Sequence, residues 1–171
     1  RPSGRRGAVN SALQFASACQ PKDFYRVKPQ HWTHWVAVGF GSGLAPKAPG
    51  TFGTIAALPL VIFLHITLAP FSYLLAVALL FFLAVYCAQR TQHDWHCHDP
   101  GAIVIDEWVG IGVSFCFLPA TWPTWLIGFV LFRFFDIVKP WPIAWLDRHI
   151  KGGLGNVLDD VVAGVFSCLG L

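Results

Sequence analysis

Charge is what this sequence has least of. Only 12% of its 171 residues are charged, against 55% that are hydrophobic and 15% that are aromatic. The mean hydropathy of +0.55 is too high for an ordinary soluble domain, because such a domain covers much of its surface with polar side chains. The composition therefore favours a single domain that is integral to a membrane or tightly bound to one.

Acidic residues are almost missing from the first half of the chain. Eight of the nine Asp and Glu lie between Asp94 and Asp160, whereas seven of the twelve Lys and Arg precede the first apolar run. We expect residues 1–35 to form a basic, flexible arm and residues 36–171 to form the domain. Beside long apolar segments, a basic arm favours a lipid surface over nucleic acid as its partner.

Long apolar runs predict the fold class. Residues 55–68 and 71–88 form two such runs with a very short connection, which predicts a helical hairpin that spans the membrane. The runs 108–118 and 125–135 hold eleven residues each, which is roughly 16 Å of helix and favours a buried or half-inserted hairpin. Residues 157–171 return to apolar character after Asp159 and Asp160. The pattern indicates a compact all-α membrane protein of about four to six helices.

The connections between paired apolar runs predict a topology. The turns at residues 69–72 and 119–124 carry no charge. The charged segments 1–54, 89–107 and 133–160 are then separated by an even number of crossings, so they should lie on one face of the membrane. The basic arm makes that face cytoplasmic by the positive-inside rule. Polar residues that are distant in sequence should therefore converge there.

A glycine-rich segment precedes the first apolar run. Residues 39–54 hold five glycines and two prolines, which predicts an irregular loop. We expect Thr51 and Thr54 to cap the helix that follows. A loop of this kind at a helix N-terminus can bind an anion through backbone N–H groups, with Lys47 and Thr51 adding a cation and a hydroxyl. A structural linker is the alternative.

Carboxylates are the candidates for chemistry. The segment 99–110 places Asp99, Asp106 and Glu107 between apolar runs, where acids are costly and usually functional. The other acids expected on the same face are Asp136, Asp147, Asp159 and Asp160. Clustered carboxylates repel one another unless a cation neutralises them. Hard oxygen ligands of this kind select Mg²⁺ or Ca²⁺.

Two groups of residues could assist those acids. Arg133, Asp136 and Lys139 are spaced by three, so a helix would carry them on one face. They could form a structural ion pair, but beside other acids we interpret the two cations as phosphate ligands and the acid as a metal ligand.

The acids at residues 159 and 160 follow a second glycine-rich segment. We expect them in the first turns of a helix, where the helix dipole stabilises negative charge. Gly164 lies one turn further along and would leave room for a ligand beside Asp160.

Three familiar phosphatase signatures are missing from the sequence. It has no Cys-x₅-Arg loop, no D-x-D pair and no serine-glycine-histidine phosphate-binding signature. Metal-assisted attack of water on a phosphomonoester is the phosphatase chemistry left. The alternatives are a small cation-coupled transporter, whose acids should lie in mid-helix, and a lipid-interacting scaffold without activity. The cluster of His93, His96, Cys97 and His98 has zinc-ligand side chains, but its spacing matches no known zinc pattern.

Four motifs in order carry a family resemblance. They are G-S-G-x-x-P-x-A-P-G-T from Gly41, D-P-G-x-I-V-I-D-E from Asp99, F-R-x-x-D-x-x-K-P-x-P-I-x-x-x-D from Phe132, and G-G-x-G-x-x-x-D-D-x-x-A-G from Gly152. From about residue 39 to the C-terminus, the chain resembles the bacterial phosphatidylglycerophosphatase A family. The resemblance implies an Mg²⁺-dependent phosphatase of the bacterial inner membrane. It would convert phosphatidylglycerophosphate, a phospholipid, to phosphatidylglycerol and phosphate, the last step of phosphatidylglycerol synthesis.

The resemblance also assigns roles to residues. The implied Mg²⁺ ligands are Asp106, Glu107, Asp136, Asp159 and Asp160. The catalytic candidates, one of which would be the base, are Asp106, Glu107, Asp136 and Asp160. The implied substrate-binding residues are Lys47, Thr51, Arg133 and Lys139, and Asp99 and Asp147 are further candidates. Asp94 is left out, since Trp95-His96-Cys97 departs from the family pattern beside it.

Overall fold

The described part of the protein is entirely helical. The computed structural model describes residues 29–97 and 100–171, and those residues contain helices and no strand. The helices are α1 (Trp32–Ala37), the 3₁₀ helix η1 (Gly39–Leu44), α2 (Pro49–Thr67), α3 (Pro70–Asp94), α4 (Ile105–Ser114), α5 (Trp122–Val138), α6 (Ile143–His149) and α7 (Gly153–Gly170). The predicted all-α class is confirmed. The described residues hold more helices than the four to six expected, because α1, η1 and α6 are short elements that the apolar runs do not mark.

Three helices are long and apolar enough to cross a membrane, namely α2, α3 and α7. The 25 residues of α3 extend about 37 Å, and the 19 residues of α2 about 28 Å, close to or beyond the roughly 30 Å of bilayer hydrocarbon. Proline at the first position begins both α2 and α3, where its missing N–H has no helical partner to lose. The prediction that residues 71–88 are a spanning candidate agrees with these dimensions.

The ten-residue helix α4 is the centre of the bundle. Nine of its ten residues are buried, and it packs most extensively against α7, with α2, α3 and α5 on its other sides. Its length of about 15 Å is half of the hydrocarbon thickness. The prediction of a buried rather than spanning segment after residue 108 therefore fits this helix.

Glycines set the close crossing of α4 and α7. A Cβ atom at Gly164 would collide with the backbone oxygen of Gly110 and lie 3.0 Å from Cβ of Val113. A Cβ at Gly110 would in turn meet the ring of Phe132 and the backbone oxygen of Asp160. The expectation that Gly164 leaves room for a ligand is therefore wrong, because the space beside it is filled by α4.

One end of the bundle is uncharged. Residues 48–88, 108–132 and 161–171 contain no Asp, Glu, Lys or Arg. At that end the Trp125 indole N–H donates to Nδ1 of His65 over 3.1 Å, and Nε2 of His65 lies 3.1 Å from the backbone oxygen of Leu118. His65 thus joins α2 to the turn before α5 as a packed histidine. All described acids lie toward the opposite end.

Short helix α1 closes the charged end. Trp32 and Trp35 on it are exposed, which is typical of aromatic anchors at a membrane interface. His34 is buried instead, with Nε2 at 3.1 Å from Oδ2 of Asp94 at the end of α3. This side chain therefore ties α1 to α3. Residues 1–28 of the expected arm lie outside the described residues.

Candidate active site

A cavity of about 180 Å³ opens at the charged end of the bundle. It is formed where α4 and α7 present their N-terminal halves and α5 and α6 their C-terminal parts. Its lining residues are Gly101, Ile103, Asp106, Glu107, Asp136, Lys139, Asp147, Asn156, Asp159 and Asp160. Among the described residues, the cavity is therefore lined by six carboxyl groups from four helices and by a single Lys. The predicted convergence of these distant acids is found in the structure.

Arg133 lies behind two of the lining acids. Its Nη1 is 2.6 Å from Oδ2 of Asp136, one helical turn away on α5, and 3.1 Å from Oε1 of Glu107 on α4. The same nitrogen donates to Oγ1 of Thr54 on α2 over 3.3 Å. Only 14% of the Arg133 side chain is exposed. In this arrangement Arg133 holds three helices together, and it reaches the cavity only through the acids in front of it.

Glycines on α2 make room for the Glu107 carboxylate. A Cβ at Gly50 would collide with Oε1 of Glu107, and a Cβ at Gly53 would lie 2.5 Å from Oε2. These glycines are three residues apart, so they share the face of α2 that meets α4. The first turn of a helix carries a partial positive charge from the helix dipole. The anion that lies against the first turn of α2 is the protein's own Glu107 carboxylate.

The glycine-rich segment is more regular than expected. It folds into η1 and the first turns of α2, and α2 begins at Pro49. Thr51 and Thr54 therefore lie inside the helix, and the expectation that they cap it is wrong. The Thr54 hydroxyl instead donates to the backbone oxygen of Gly50 over 2.9 Å and accepts from Arg133.

Lys139 joins two acids inside the cavity. It follows the last residue of α5 in a left-handed conformation with φ of 45°, which turns its side chain away from the line of that helix. Its Nζ donates to Oδ1 of Asp147 over 3.0 Å and to Oδ2 of Asp159. Burial lowers the pKa of Lys139, but the two carboxylates outweigh that effect and raise the pKa overall. The ammonium group is therefore held in its charged form.

Burial dominates the electrostatics of the acids on α4. It raises the pKa of Asp106 well above the ordinary value, and the negative charges of Glu107 and Asp159 raise it further. It also raises the pKa of Glu107 to about 8, although Arg133 opposes the shift. The Asp106 Oδ1 accepts the backbone N–H of Glu107 over 3.0 Å. Carboxyl groups in such a site need protons or further cations to become stable.

The donor set fits a hard divalent cation. Among the residues that the structure describes, Oε2 of Glu107 and Oδ1 of Asp159 are buried without a hydrogen-bond partner, and both side chains line the cavity. All of the acidic donors are oxygen atoms, which is the ligand type that Mg²⁺ selects. No three His, Cys, Asp or Glu side chains within 29–97 and 100–171 are arranged as a ready metal-binding cluster. Mg²⁺ is commonly bound by one or two carboxylates together with waters and substrate phosphate. The acidic wall of the cavity can supply those carboxylates.

Comparison with known proteins identifies the family. The family model described as phosphatidylglycerophosphatase A matches residues 35–171. The chain belongs to the phosphatidylglycerophosphatase A family. The resemblance drawn from four sequence motifs is thereby confirmed.

Curated relatives agree with this family. The chain is 44% identical over 144 residues to a phosphatidylglycerophosphatase A of Escherichia coli, which covers 83% of each protein. It is 42% identical over 137 residues to a protein of the same name from Haemophilus influenzae, covering 80% of the chain and 84% of that relative. A Bacteroides thetaiotaomicron protein named putative phosphatidylinositol-3-phosphatase is 40% identical over 140 residues, covering 77% of the chain and 86% of that relative. No solved structure matches the chain.

Some residues that the phosphatidylglycerophosphatase A resemblance assigns to the site lie apart from the cavity wall. Lys47 is exposed in the turn before α2, and Thr51 is partly exposed on the first turn of that helix. Neither is among the described residues that line the cavity. Asp99 lies outside the described residues. The roles of these three residues stay predictions, as do those of the acids.

The acids on α7 lie in its first turns, as expected. This helix begins at Gly153, so Asp159 and Asp160 are its seventh and eighth residues, at the end of the second turn. A helix dipole acts mainly within the first turn, so dipole stabilisation does not explain these two carboxylates. Gly153 starts the helix early because it packs against the backbone of Gln89, whose side-chain oxygen accepts the Gly153 N–H over 2.8 Å.

The histidine-rich end of α3 lies away from this site. Asp94 there contacts Arg90 and His93 of its own helix and His34 of α1, and the His34 contact holds α1 on α3. Zinc binding by His93, His96 and Cys97 gains no support from the described residues, which contain no metal-binding group of three. His98 lies outside the described residues. Leaving Asp94 out of the candidate site agrees with its separate set of contacts.

Proposed function

We propose that this protein hydrolyses phosphatidylglycerophosphate to phosphatidylglycerol and inorganic phosphate, in phospholipid biosynthesis at the cytoplasmic face of a bacterial inner membrane. The observation that carries the proposal is the cavity with six carboxyl groups and Lys139, at the charged end of a bundle with three membrane-capable helices. Family membership and two relatives named phosphatidylglycerophosphatase A support the substrate.

The acids of the cavity are the proposed catalytic residues. Mg²⁺ would be held by oxygen atoms from the set Asp106, Glu107, Asp136, Asp159 and Asp160. Bound Mg²⁺ polarises a phosphoryl group and favours deprotonation of water. One carboxylate of Asp106, Glu107, Asp136 or Asp160 would take the proton of the attacking water. The water oxygen then bonds to phosphorus, the bond from phosphorus to the glycerol oxygen breaks, and that oxygen takes up a proton.

The cations would bind the phosphate during this step. Lys139 is the best placed, because its Nζ lines the cavity. Arg133 would act mainly by fixing Glu107 and Asp136, since it lies behind them. Lys47 and Thr51 would help only if the headgroup extends toward the start of α2. Fixed cations stabilise the charge on a transferring phosphoryl group.

The positions of the acids argue against a cation-coupled transporter. Asp106 and Glu107 lie in the first turn of α4, and Asp136 lies in the last turn of α5. A transporter would hold its acids near the middle of spanning helices. Acids at the ends of helices fit chemistry on a headgroup at the membrane surface. A scaffold without activity would not need several buried acids in one wall, which are costly to fold.

A second substrate deserves a parallel test, because the Bacteroides relative is named a putative phosphatidylinositol-3-phosphatase. Both lipids are phosphomonoesters on a phospholipid headgroup, so the same cavity chemistry could serve either. Phosphatidylinositol 3-phosphate is therefore the specific alternative substrate for this chain.

Phosphate release from purified full-length protein tests the proposal. The protein in detergent micelles is incubated with phosphatidylglycerophosphate, with Mg²⁺ or with a chelator, and inorganic phosphate is measured. We expect release that requires the metal and is lost in Asp106→Asn. Phosphatidylinositol 3-phosphate, phosphatidic acid and glycerol phosphate in parallel reactions rank the substrates. Absence of metal-dependent release from every lipid would exclude a phosphatase of this type.

A further inference from the structure

Lys139 lies between two acids, in a position that would also suit a bound metal cation. Its Nζ contacts Asp147 and Asp159 at the same time, and all three residues line the cavity. The three side chains differ in accessibility: 44% of Asp147 and 32% of Lys139 are exposed, but only 4% of Asp159. The ammonium group therefore reaches from the open part of the cavity to a buried carboxylate.

Asp159 needs a positive charge beside it. A buried carboxylate without a counter-ion is strongly destabilising, and in the described structure the other oxygen of Asp159 has no hydrogen-bond partner. Asp159 therefore lacks one hydrogen-bond donor, even though Lys139 contacts its other oxygen. A divalent cation would supply more charge to the same carboxylate than an ammonium group does.

Arg133 and Lys139 are built for different tasks. The Arg133 guanidinium contacts Glu107, Asp136 and Thr54 at once, with 14% of its side chain exposed. Lys139 has a flexible four-carbon side chain with a compact charge, it is more exposed, and it begins from a turn after α5. Lys139 can therefore leave its partners at a lower cost than Arg133.

We propose that Lys139 is an exchangeable counter-ion, which holds Asp147 and Asp159 in the metal-free protein and moves to the substrate phosphate when a divalent cation binds the acids. This inference rests on the proposed phosphatase function and adds the order of events at its site. Because the acids lose one cation only as they gain another, metal binding and phosphate binding favour each other. Such coupling is reciprocal by thermodynamic linkage.

The chemical reactivity of Lys139 in the wild-type protein tests the exchange directly. Full-length protein in micelles is treated briefly with an amine-acetylating reagent, and acetylation of each Lys is measured by mass spectrometry. We expect Mg²⁺ to increase acetylation at Lys139 severalfold and added inorganic phosphate to reverse that increase. Lys151, whose exposed side chain donates to the backbone oxygen of Asp147, is the control and should not change. Equal reactivity of Lys139 with and without bound Mg²⁺ would overturn the proposal.

Metal titration of a variant gives a second test with no activity readout. Mn²⁺ binding is measured by electron paramagnetic resonance for wild type, Lys139→Gln and the matched control Lys151→Gln. We expect Lys139→Gln to bind Mn²⁺ about tenfold more tightly without phosphate, equivalent to about 1.4 kcal/mol, and to lose the gain that phosphate gives wild type. Unchanged Mn²⁺ affinity in folded Lys139→Gln refutes the exchange. Failure of wild type to bind Mn²⁺ or Mg²⁺ at all would instead refute the proposed metal-dependent function.

Discussion

Replacing Arg133 by Gln removes the cation from the most buried ion-pair network of the site. The substitution leaves Glu107 and Asp136 without their shared partner, and their side chains are only 11% and 14% exposed. Removal of one partner from a buried ion pair typically costs about 3–5 kcal/mol. Because both acids border a cavity that admits water, we expect the lower end, a loss of about 3 kcal/mol in the free energy of unfolding.

Thermal unfolding of the metal-free protein in micelles measures this loss. A chain of this size loses about 2–4 °C in melting temperature per kcal/mol, so Arg133→Gln should melt roughly 6–12 °C lower. Arg90→Gln is the matched control, since Arg90 is 54% exposed and pairs with Asp94 on the same helix. An exposed pair of this spacing contributes about 0.3–0.5 kcal/mol, so the control should melt within about 2 °C of wild type.

A double substitution separates charge from packing in this prediction. If the loss in Arg133→Gln comes from a stranded carboxylate, then adding Glu107→Gln should recover part of it. We expect a coupling free energy of about 1–3 kcal/mol between the two positions in a double-mutant cycle. Strictly additive losses would refute the charge argument and show that Arg133 contributes mainly by filling space.

Three further predictions follow from the packing and the topology. Gly164→Ala should destabilise the protein by about 1–3 kcal/mol in thermal melts, because its Cβ meets the backbone of α4; Gly112→Ala, whose Cβ lies 3.3 Å from a Val77 side chain, should be near neutral and serves as its control. Cysteines at exposed Ser72 and His93 should react with an impermeant maleimide from opposite sides of the membrane, and reaction from one side would contradict the spanning hairpin. Asp160→Asn should lose phosphate release while its melting temperature does not fall, and retained release would remove Asp160 from the site.

The sequence predicts which residues meet better than it predicts how they meet. The turns between paired apolar runs carry no charge, so the charged residues must lie at the opposite end of the helices. This was enough to place Asp106, Asp136 and Asp160 at one end of the bundle. Helix starts were missed by a few residues. Pro49 and Gly153 begin their helices early for reasons of packing and proline geometry that composition does not reveal.

The different positions of Arg133 and Lys139 could not be predicted from their spacing. Equal steps of three along a helix put both on one stripe, but the helix ends at Val138 and Lys139 adopts a left-handed conformation. That single turn carries Lys139 toward Asp159, while Arg133 stays between α2, α4 and α5. The contact of Glu107 with Gly50 and Gly53 was missed for a similar reason, since it depends on which faces of α2 and α4 meet.

The short length of α4 explains why this bundle has a recess at all. Asp159 and Asp160 are the seventh and eighth residues of α7, about 9–11 Å from its start. Asp106 and Glu107 in the first turn of α4 line the same cavity, where a longer helix would have filled the space. Residues of α5, α6 and α7 form the rest of its walls. A buried helix of about 15 Å among helices of about 25 Å or more thus creates an acid-lined pocket below the rim. In the proposed reaction, the phosphate of the lipid would enter this pocket from the headgroup layer of the membrane.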